Sequence, residues 1–546
     1  MQERIVVMWI IIVVVAFLTI LDVYQRIKLK QNVKEHWGKL PKQPRFDKEH
    51  SLKNAWLEER KYTNFDSEID DITWNDLDMF AVFELINSTY SSVGSEALYQ
   101  RLRNYNWQTD TELETLINFY QQHPEIREKT QYRFAQLGKQ DRNFSKHYLG
   151  QNQKTTIGSL PFFLILGLLP FLGLFLILFG QTIGIAIVIG SLVFNMLYYQ
   201  LKKAQLETEL NSMRYLVQTI STGTKIAKLD SPLQKDLIQS LTHLRSIPRF
   251  GFSFRIKNNS EAEMFFDYLN MMLMLPFISY SFVLNKISRH NKEALHLWEL
   301  LGKLEVAAAI LNFRTFMPLT CQPTIVNSDV KGEKIYHPLL AQAVTNSVDW
   351  QQTTLVTGSN ASGKSTYVKS IAINCILAQT IQTAIGESFE LASGHVLTSM
   401  AVEDDLSQGD SYFVAEIKSV KRLLDLVKTK EHCYCFIDEI LKGTNTVERI
   451  AASSSIVSWL AQSSSLAIVA THDIELTEML KSNCDNIHFS EQVTEDEGIS
   501  FDYKVKAGPA QTRNAIALLS VLGYPEEIVH QAQNKASFFD EYKTWY

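Results

Sequence analysis

Two apolar stretches near the middle of the chain constrain its fold more than any other feature. Residues 159–179 read SLPFFLILGLLPFLGLFLILF, residues 183–199 continue without a charge, and only Gly-Gln-Thr separates them. A bilayer offers no hydrogen bonds to the backbone, so a spanning segment has to be helical, and about 20 apolar residues suffice to cross. The two stretches therefore predict transmembrane helices joined as a hairpin, with both ends on one side of the membrane.

Two further apolar runs are less decisive. Residues 5–21 contain no charge and predict a first transmembrane helix, although the run is only just long enough. A cleaved signal peptide is the alternative, but no small-x-small cleavage site follows and the chain continues as DVYQRIKLK. Residues 271–284, MMLMLPFISYSFVL, are short and contain a proline. They predict a buried core helix, with a membrane-embedded segment as the alternative.

Basic side chains lie beside the ends of the predicted spans and are missing from the hairpin tip. Lysine and arginine near membrane helices favour the cytoplasmic side. We therefore expect a multi-pass protein of the cell membrane, with residues 22–157 and 200–546 in the cytoplasm. The basic residues concerned are Arg26, Lys28, Lys30, Lys34, Lys146, Lys154, Lys202 and Lys203.

The segments outside the spans differ in pattern and in charge. Residues 22–157 and 200–325 have helical spacing, whereas in 326–546 short apolar strands alternate with helices, which is typical of an α/β sheet. The chain carries a net charge of −6, but residues 200–320 hold 15 Lys+Arg against 10 Asp+Glu, and 321–546 hold 17 against 28. The middle of the chain therefore suits a polyanion better, although ordinary solvated helices are the alternative.

The five cysteines indicate no metal site. None of them has the C-x-x-C spacing of a zinc site, and Cys433 and Cys435 alternate within one apolar run. We expect buried structural thiols and a reducing compartment.

A glycine-rich loop follows the first strand of the α/β region. TTLVTGSNASGKST places Gly358, Gly363, Lys364 and Ser365 in the pattern G-x-x-x-x-G-K-[ST], between an apolar strand and a helix. In this context backbone N–H groups hold phosphates, the lysine reaches the β and γ oxygens, and the serine hydroxyl binds Mg²⁺. The motif predicts an ATP site.

Two later strands supply the remaining chemistry. CYCFIDE ends with Asp438, placed to hold Mg²⁺, and Glu439, placed to polarise the attacking water. In LAIVATHD a further strand ends at Thr471 and His472, and His472 can sense the γ-phosphate or orient the water. We therefore predict an ATPase with Lys364, Glu439 and His472 as its catalytic residues.

A subunit of an ABC-type transporter is one alternative, but the sequence supports it poorly. An ABC cassette carries an LSGGQ-type signature. The best match in this sequence is LSQGD at 406–410, which lacks the paired glycines and lies 32 residues before Asp438. Three spans also make a poor translocation path.

Four motifs in order resemble another family. TGSNASGKSTYVKS, VEDDLSQGDSYFVAEI, DEILKGTNT and ATHDIEL are similar to the ATPase domain of MutS-type DNA mismatch-repair proteins. The likeness continues upstream in IYHPLL and downstream in KVKAGPAQTRNAIALLSVLGYPEEIVHQA, and more weakly over 74–103. It implies an ABC-like, MutS-type α/β P-loop ATPase at 326–546. An α-helical core and lever domain would precede it, interrupted here by the spans.

The resemblance also implies site residues and partners. ATP would contact Ser411, which in the family reaches the γ-phosphate of the opposite subunit, and Ser365 and Asp438 would bind Mg²⁺. A composite site of this kind implies a homodimer, and the family implies DNA as partner. The P-loop residues expected to contact ATP are Gly358, Ser359, Asn360, Ala361, Ser362, Gly363, Lys364, Ser365 and Thr366.

The sequence departs from the family at three places. No Phe-x-Glu motif, which the family uses to read mismatches, occurs in the roughly 50 residues before the helical core, an interval shorter than a domain. Leu441 and Lys442 replace the family's Gly and Arg after the acidic pair. Ala343 lies near the position of the adenine-stacking aromatic, which predicts weaker nucleotide binding.

DNA contact is therefore expected from the helical region. HLRSIPRFGFSFRIK at 243–257 interleaves basic residues with phenylalanines, a pattern that suits phosphates and bases. Inward-packed phenylalanines with solvated basic side chains, and a patch that binds anionic lipid, are the alternatives. The DNA-binding candidates are Arg245, Arg249, Arg255 and Lys257. The chain as a whole predicts a membrane-anchored ATPase acting in mismatch repair or related DNA processing, with an ATP-driven scaffold for a membrane partner as the alternative.

Overall fold

The chain divides into two units, each described here by itself. The computed structural model describes residues 2–41, 48–61, 63–140, 143–150, 159–254, 268–327, 329–359, 362–400, 412–494, 498–510, 516, 519–520, 523–542 and 544. The first unit comprises Met1–Asn64, Leu85–Gln100 and Asp110–Phe316, and the second Phe65–Glu84, Arg101–Thr109 and Met317–Tyr546. Residues 22–157, predicted as one segment, therefore contribute to both units.

Helices build the first unit, as its spacing of apolar residues predicts. Met79–Ile86 and Ser92–Arg103 contribute to both units. The remaining helices are Gln2–Glu35, Glu49–Glu59, Thr111–Gln122, Pro124–Leu137, Leu160–Leu178, Ile183–Ile226, Gln234–Leu241, Leu275–Arg289 and Asn291–Phe316, with 3-10 helices at Ser145–Leu149 and Ile247–Phe254.

The helix Asn291–Phe316 carries a buried carboxylate that fixes the start of another helix. Glu305 accepts hydrogen bonds from the backbone N–H groups of Tyr90 and Ser91 and from the Ser91 hydroxyl, just ahead of Ser92–Arg103. The first N–H groups of a helix have no partner within it, so this carboxylate serves the helix start. A Cβ at Gly94 would lie 2.4 Å from Glu305 Oε2, so this close approach depends on a glycine.

Two helices of the described chain are long and apolar enough to cross a membrane. They are Leu160–Leu178 and Ile183–Lys202, and only 28% and 22% of their apolar windows are buried. The sequence predicted three spans, so the structure supports two. Residues 5–21 form part of the helix Gln2–Glu35, but several side chains of this stretch lie outside the described residues. The first span stays a prediction.

The second hairpin helix does not end at the membrane boundary that the sequence predicted. It runs unbroken from Ile183 to Ile226 over 44 residues, so the predicted division between 183–199 and 200–325 lies inside one helix. Hydropathy falls after Tyr199, but QLKKAQLETEL consists of good helix formers without Gly or Pro. We call Ile183–Ile226 the long helix.

A single amide side chain joins three segments of this unit. Asn195 is fully buried, and its Nδ2 donates to the carbonyl oxygens of Leu166 at 2.8 Å and Met272 at 2.7 Å. Leu166 lies four residues before Pro170, and Met272 lies four residues before Pro276. Proline has no N–H, so Leu166 lacks the donor that its helix would normally supply, and the Met272 carbonyl lies at the end of a helical stretch, four residues before a second proline that cannot donate. Asn195 supplies both donors, and we call this arrangement the asparagine lock.

The apolar run 271–284 is not one uninterrupted helix. Residues 268–272 are helical, Met274 takes a left-handed conformation at φ 55°, and a new helix, Leu275–Arg289, follows with Pro276 in its first turn. Met274 and Phe277 are fully buried, as the core-helix prediction requires, but Phe277 stacks on Phe163 of the first hairpin helix at 5.2 Å between ring centroids. The run therefore packs against the hairpin.

A mixed α/β layer forms the second unit and confirms the predicted P-loop domain. Its main sheet has the order Lys506–Ala507, Asp485–His488, Thr354–Thr357, Leu466–Ala470, Cys433–Asp438 and His395–Ser399. All neighbours are parallel except the edge strand Lys506–Ala507. The helices of this unit are Asp71–Asp76, Lys364–Ile381, Tyr412–Val427, Thr446–Ala461, Ile474–Met479 and Glu526–Tyr542.

Smaller sheets complete this unit. One contains Thr324–Ile325, Ser388–Leu391, Val330–Ile335 and Asn346–Trp350, a second pairs Glu491–Thr494 with Gly498–Phe501, and a third pairs Ser67–Glu68 with Asn104–Tyr105. Cys433 and Cys435 are fully buried in the apolar core beside the main sheet. Four of the five cysteines are buried, as predicted, whereas Cys321 is only partly buried.

Candidate functional site

Three neighbouring parallel strands bring the predicted nucleotide residues to one edge of the main sheet. Ala470 is in register with Val356 on one side and with Asp438 on the other. Because parallel strands end at the same edge, the loops that follow all three strands start side by side. Residues separated by more than 100 positions in sequence therefore meet there.

The P-loop depends on glycines where the sequence places them. Gly358 has φ 134°, and a Cβ there would lie 2.5 Å from the carbonyl oxygen of Phe489. Gly363 has φ 100° and precedes the helix Lys364–Ile381. Residues with a side chain rarely adopt such φ angles, so both positions favour glycine. Ser362 Oγ donates to Ser359 O at 2.7 Å within the loop. Asn360 and Ala361 lie outside the described residues.

Lys364 is buried, and its ammonium lies against the loop. Nζ donates to the carbonyl oxygens of Gly358 and of Ser359, the latter at 3.0 Å, and lies 3.3 Å from His472 Nε2. A buried ammonium needs such partners, since an unpaired charge away from water is costly. The loop carbonyls thus hold the charge where a phosphate would otherwise bind.

The two predicted metal ligands meet directly. Ser365 Oγ donates to Asp438 Oδ2 at 2.7 Å, joining the start of the P-loop helix to the end of the strand Cys433–Asp438. A hydroxyl and a carboxylate are hard oxygen donors of the type Mg²⁺ prefers, and Mg²⁺ commonly takes only one or two protein ligands besides water and phosphate. These two residues therefore fit a magnesium ion.

Glu439 follows Asp438 and lies beside a histidine and a lysine. Its carboxylate lies 3.2 Å from His472 Nε2 and 3.1 Å from Lys442 Nζ. Burial raises the pKa of this carboxyl, but the hydrogen bonds and charges of His472 and Lys442 outweigh that effect and lower the pKa to about 2. Its backbone N–H donates to Ala470 O at 2.9 Å, and its φ of 59° is left-handed. The residue is ionised at neutral pH, as a base that polarises water must be.

Two contacts around this site were not foreseen from the sequence. Lys442, noted only as a departure from the family, holds the carboxylate of Glu439. Arg449 makes a bidentate pair with Asp473, the residue after His472, at 2.7 and 2.9 Å. A basic residue in the turn or helix after an acidic strand is too common a signal to reveal either pair.

A cleft opens beside the P-loop, and its lining includes Tyr503 and Ala343. Asn346 holds the chain around Tyr503 in place, since its side chain donates to Tyr503 O at 2.9 Å and accepts from Val505 N–H at 3.0 Å. Burial lowers the pKa of His337 to about 4, so this lining residue is neutral at pH 7. The other residues that line the cleft are Ile335, Leu340, Gln342, Val344, Gly363, Thr366, Tyr367 and Ser370. A purine ring fits such a surface, and Tyr503 offers the aromatic face that Ala343 lacks.

The remaining predicted residues lie either in the first unit or outside the described residues. Arg245 and Arg249 are exposed in the first unit, and the nearby Phe250 stacks on Phe282 at 5.6 Å instead of facing solvent alone. Arg255, Lys257 and Ser411 lie outside the described residues. DNA binding by these residues stays a prediction.

Comparison with known proteins agrees with this geometry. Residues 354–540 match the family model MutS domain V, which covers the P-loop strand, the acidic strand and the cleft residue Tyr503. This match shows that residues 354–540 are similar to domain V of MutS proteins.

The similarity to individual MutS proteins is confined to the same region. The chain is 30% identical over 184 residues to DNA mismatch repair protein MutS 2 of Haloarcula marismortui, covering 33% of the chain and 19% of that protein. It is 30% identical over 180 residues to DNA mismatch repair protein MutS of Thermus thermophilus, covering 33% and 22%. The chain thus matches about a fifth of the length of these MutS relatives.

Proposed function

We propose that this MutS-type chain binds and hydrolyses ATP at the site described above. The observation that carries the proposal is the convergence of Lys364, the Ser365–Asp438 pair and the Glu439–His472 pair at one edge of a parallel sheet. Lys364 would exchange the loop carbonyls for phosphate oxygens, and Glu439 would polarise the attacking water, with His472 orienting it. Mg²⁺, held through Ser365 and Asp438, supplies charge neutralisation for the phosphates when bound.

We further propose that the ATPase works as a homodimer and acts on DNA. Family resemblance supports both, since the P-loop of one copy would be completed by Ser411 of a second copy. Mismatch repair or related processing of DNA structure is the role that the MutS relatives suggest. The exposed arginines Arg245 and Arg249 are the described candidates for phosphate contact.

We also propose that the hairpin anchors the protein in the cell membrane, with the ATPase unit in the cytoplasm. More than two thirds of each apolar window is not buried within the protein, unlike a helix in the core of a soluble protein. Exposed apolar side chains on both helices, such as Leu174, Ile189 and Val193, suit contact with acyl chains. The basic residues beside the span ends favour a cytoplasmic orientation of the large segments.

The test is steady-state ATP hydrolysis by the detergent-purified full chain, without DNA and with matched, mismatched or branched duplex. Hydrolysis that disappears in Lys364→Met while the fold persists supports the assigned site, and hydrolysis retained in that variant overturns it. A rate that responds to mismatches or branches supports structure-specific action on DNA. If DNA neither binds nor changes the rate at low salt, the DNA role is wrong, and an ATP-driven scaffold for a membrane partner replaces it.

A further inference from the structure

The chain at Met272 and Leu273 contacts the hairpin well inside its two spans. The Met272 carbonyl oxygen is bonded to Asn195, and a Cβ on Gly167 would lie 2.6 Å from the Leu273 carbonyl oxygen. Asn195 lies seven residues before Lys202, where the second span ends, and Gly167 lies seven residues after Leu160, where the first begins. At 1.5 Å per residue, both contacts lie about 10 Å inside the same side of the hairpin.

The chain turns around at that depth and then leaves it. Met274, with its left-handed backbone, is the turning point. Three residues later, Phe277 lies 5.2 Å from both Phe163 and Tyr199, which are closer to the ends of the spans. Tyr280 then packs at 6.2 Å on Tyr148, outside the spans. The helix that follows ends in the basic residues Lys286 and Arg289, so the segment runs from apolar to charged as it moves away from the hairpin centre.

The hydrogen bonding of the turn suits a site without water. A turn exposed to solvent has its carbonyl groups hydrated, whereas irregular backbone at membrane depth is tolerated only where protein groups satisfy it. The asparagine lock does this for Met272, and it simultaneously serves the carbonyl that Pro170 leaves open in the first span. A buried amide at this position meets a requirement that the bilayer imposes.

We propose that residues 268–284 form a re-entrant segment, which enters the acyl-chain region from the cytoplasmic side, turns at Met274 and returns beside the hairpin. The segment contacts lipid acyl chains through Tyr268, Leu269 and Phe282, which are exposed apolar or aromatic side chains. The inference rests on the membrane anchoring proposed above but goes beyond it, because a hairpin can span a bilayer while this segment lies wholly outside.

The depth of single nitroxide labels tests the proposal in the full chain, reconstituted into phosphatidylcholine–phosphatidylglycerol vesicles. Labels go onto Leu275→Cys at the turn, Phe282→Cys further out, Ile189→Cys in the second span, and Ile238→Cys on the helix Gln234–Leu241, each in a Cys321→Ser background. Ile238 is a matched control, since it is an exposed aliphatic residue of the same unit, 41% accessible. Power-saturation spectroscopy compares collisions with oxygen, which enters lipid, and with a nickel chelate, which stays in water. An unchanged far-ultraviolet circular dichroism spectrum and gel-filtration profile establish that each labelled protein is folded.

We expect the oxygen-to-nickel ratio to be high at Ile189 and Leu275, intermediate at Phe282 and low at Ile238. A ratio at Leu275 that equals the ratio at Ile238, with Ile189 still in lipid, overturns the re-entrant segment and leaves the anchor standing. A low ratio at Ile189 means that the hairpin itself is outside the bilayer, and both proposals then fail. If Leu275→Cys does not fold, the same comparison at Leu269→Cys decides, because this exposed residue lies three positions before Met272, and a segment outside the bilayer would give it the ratio of Ile238.

Discussion

The P-loop and the asparagine lock solve the same problem in opposite ways. In both places backbone carbonyls lack a helical or strand partner, and one nitrogen-bearing side chain donates to two of them. Lys364 binds the carbonyls of Gly358 and Ser359, and Asn195 binds those of Leu166 and Met272. The ammonium of Lys364 lies in a P-loop, where phosphate oxygens can replace these carbonyls. The amide of Asn195 is enclosed by protein and cannot.

The difference shows how polar groups divide between function and structure in this chain. At the sheet edge, polar groups from separate strands converge on a loop whose motif predicts phosphate binding, so their present contacts are replaceable. In the hairpin, the polar groups face one another and close a gap that two prolines open. Variants at the nucleotide site should therefore lower the rate of ATP hydrolysis with little loss of stability. Variants at the asparagine lock should lower stability with little change in that rate.

The largest expected effect tests the chemical side of this comparison. Glu439→Gln removes the ionised carboxylate and should lower kcat for ATP at least about 100-fold, the usual scale for loss of a positioned base. ATP binding should persist, because Lys364 and the P-loop are untouched. Steady-state hydrolysis and nucleotide titration measure the two quantities separately. Glu527→Gln, an exposed residue of the helix Glu526–Tyr542, should leave both unchanged. A Glu439→Gln protein that hydrolyses ATP normally would show that another group polarises the water.

The structural side is tested by the lock. Asn195→Ala leaves two buried carbonyls without donors and should lower the free energy of unfolding by about 2 kcal/mol, measured by denaturation in detergent. Pro170→Ala restores an N–H four residues after Leu166, so the asparagine change should cost less in that background, as a double-mutant cycle detects. Ser191→Ala is the control, because Ser191 Oγ bonds only to Val188 O of its own helix. Equal costs in both backgrounds would mean that the proline does not create the need for the amide.

The pH dependence of stability provides a third test, because it reports on Glu305, another polar group enclosed by protein. Burial raises the pKa of Glu305 to about 7, although the donors of Tyr90 and Ser91 favour its ionised form. In the unfolded chain the pKa is about 4.3, so the folded state holds the proton more tightly. This contribution to stability is complete below pH about 4, declines as the pH rises, and is gone above about 7. Thermal unfolding of the wild type minus that of Glu305→Gln, across this range, should show the decline. A difference that does not vary with pH would contradict it.

The smallest effect concerns the cleft. Tyr503→Ala should weaken ATP binding about tenfold through loss of an aromatic face, while kcat at saturating ATP stays within about twofold. Fluorescent-nucleotide titration measures the affinity. Tyr524→Ala, whose side chain is 49% exposed, serves as the control. An unchanged affinity would place the base elsewhere.

The sequence predicts the nucleotide site far better than it predicts the hairpin contacts. Gly358, Lys364, Ser365 and Asp438 lie in short motifs whose spacing and strand context carry their chemistry, so their convergence follows from parallel strand order. The bond from Asn195 to Met272 spans 77 residues and depends on where two prolines fall, which no local pattern reveals. The contact of Lys442 with Glu439 depends on a side-chain direction after a left-handed residue. The continuity of the long helix was missed because hydropathy changes at Tyr199 while helix propensity does not.

That continuity has a mechanical consequence. The 24 residues from 203 to 226 extend the second span without a joint, and a helix of that length reaches about 36 Å. A stiff rod transmits rotation: tilting the hairpin by about 10° would displace the far end by about 6 Å, on the same geometry. A small change in the angle of the hairpin would therefore produce a larger displacement at the Ile226 end of the long helix.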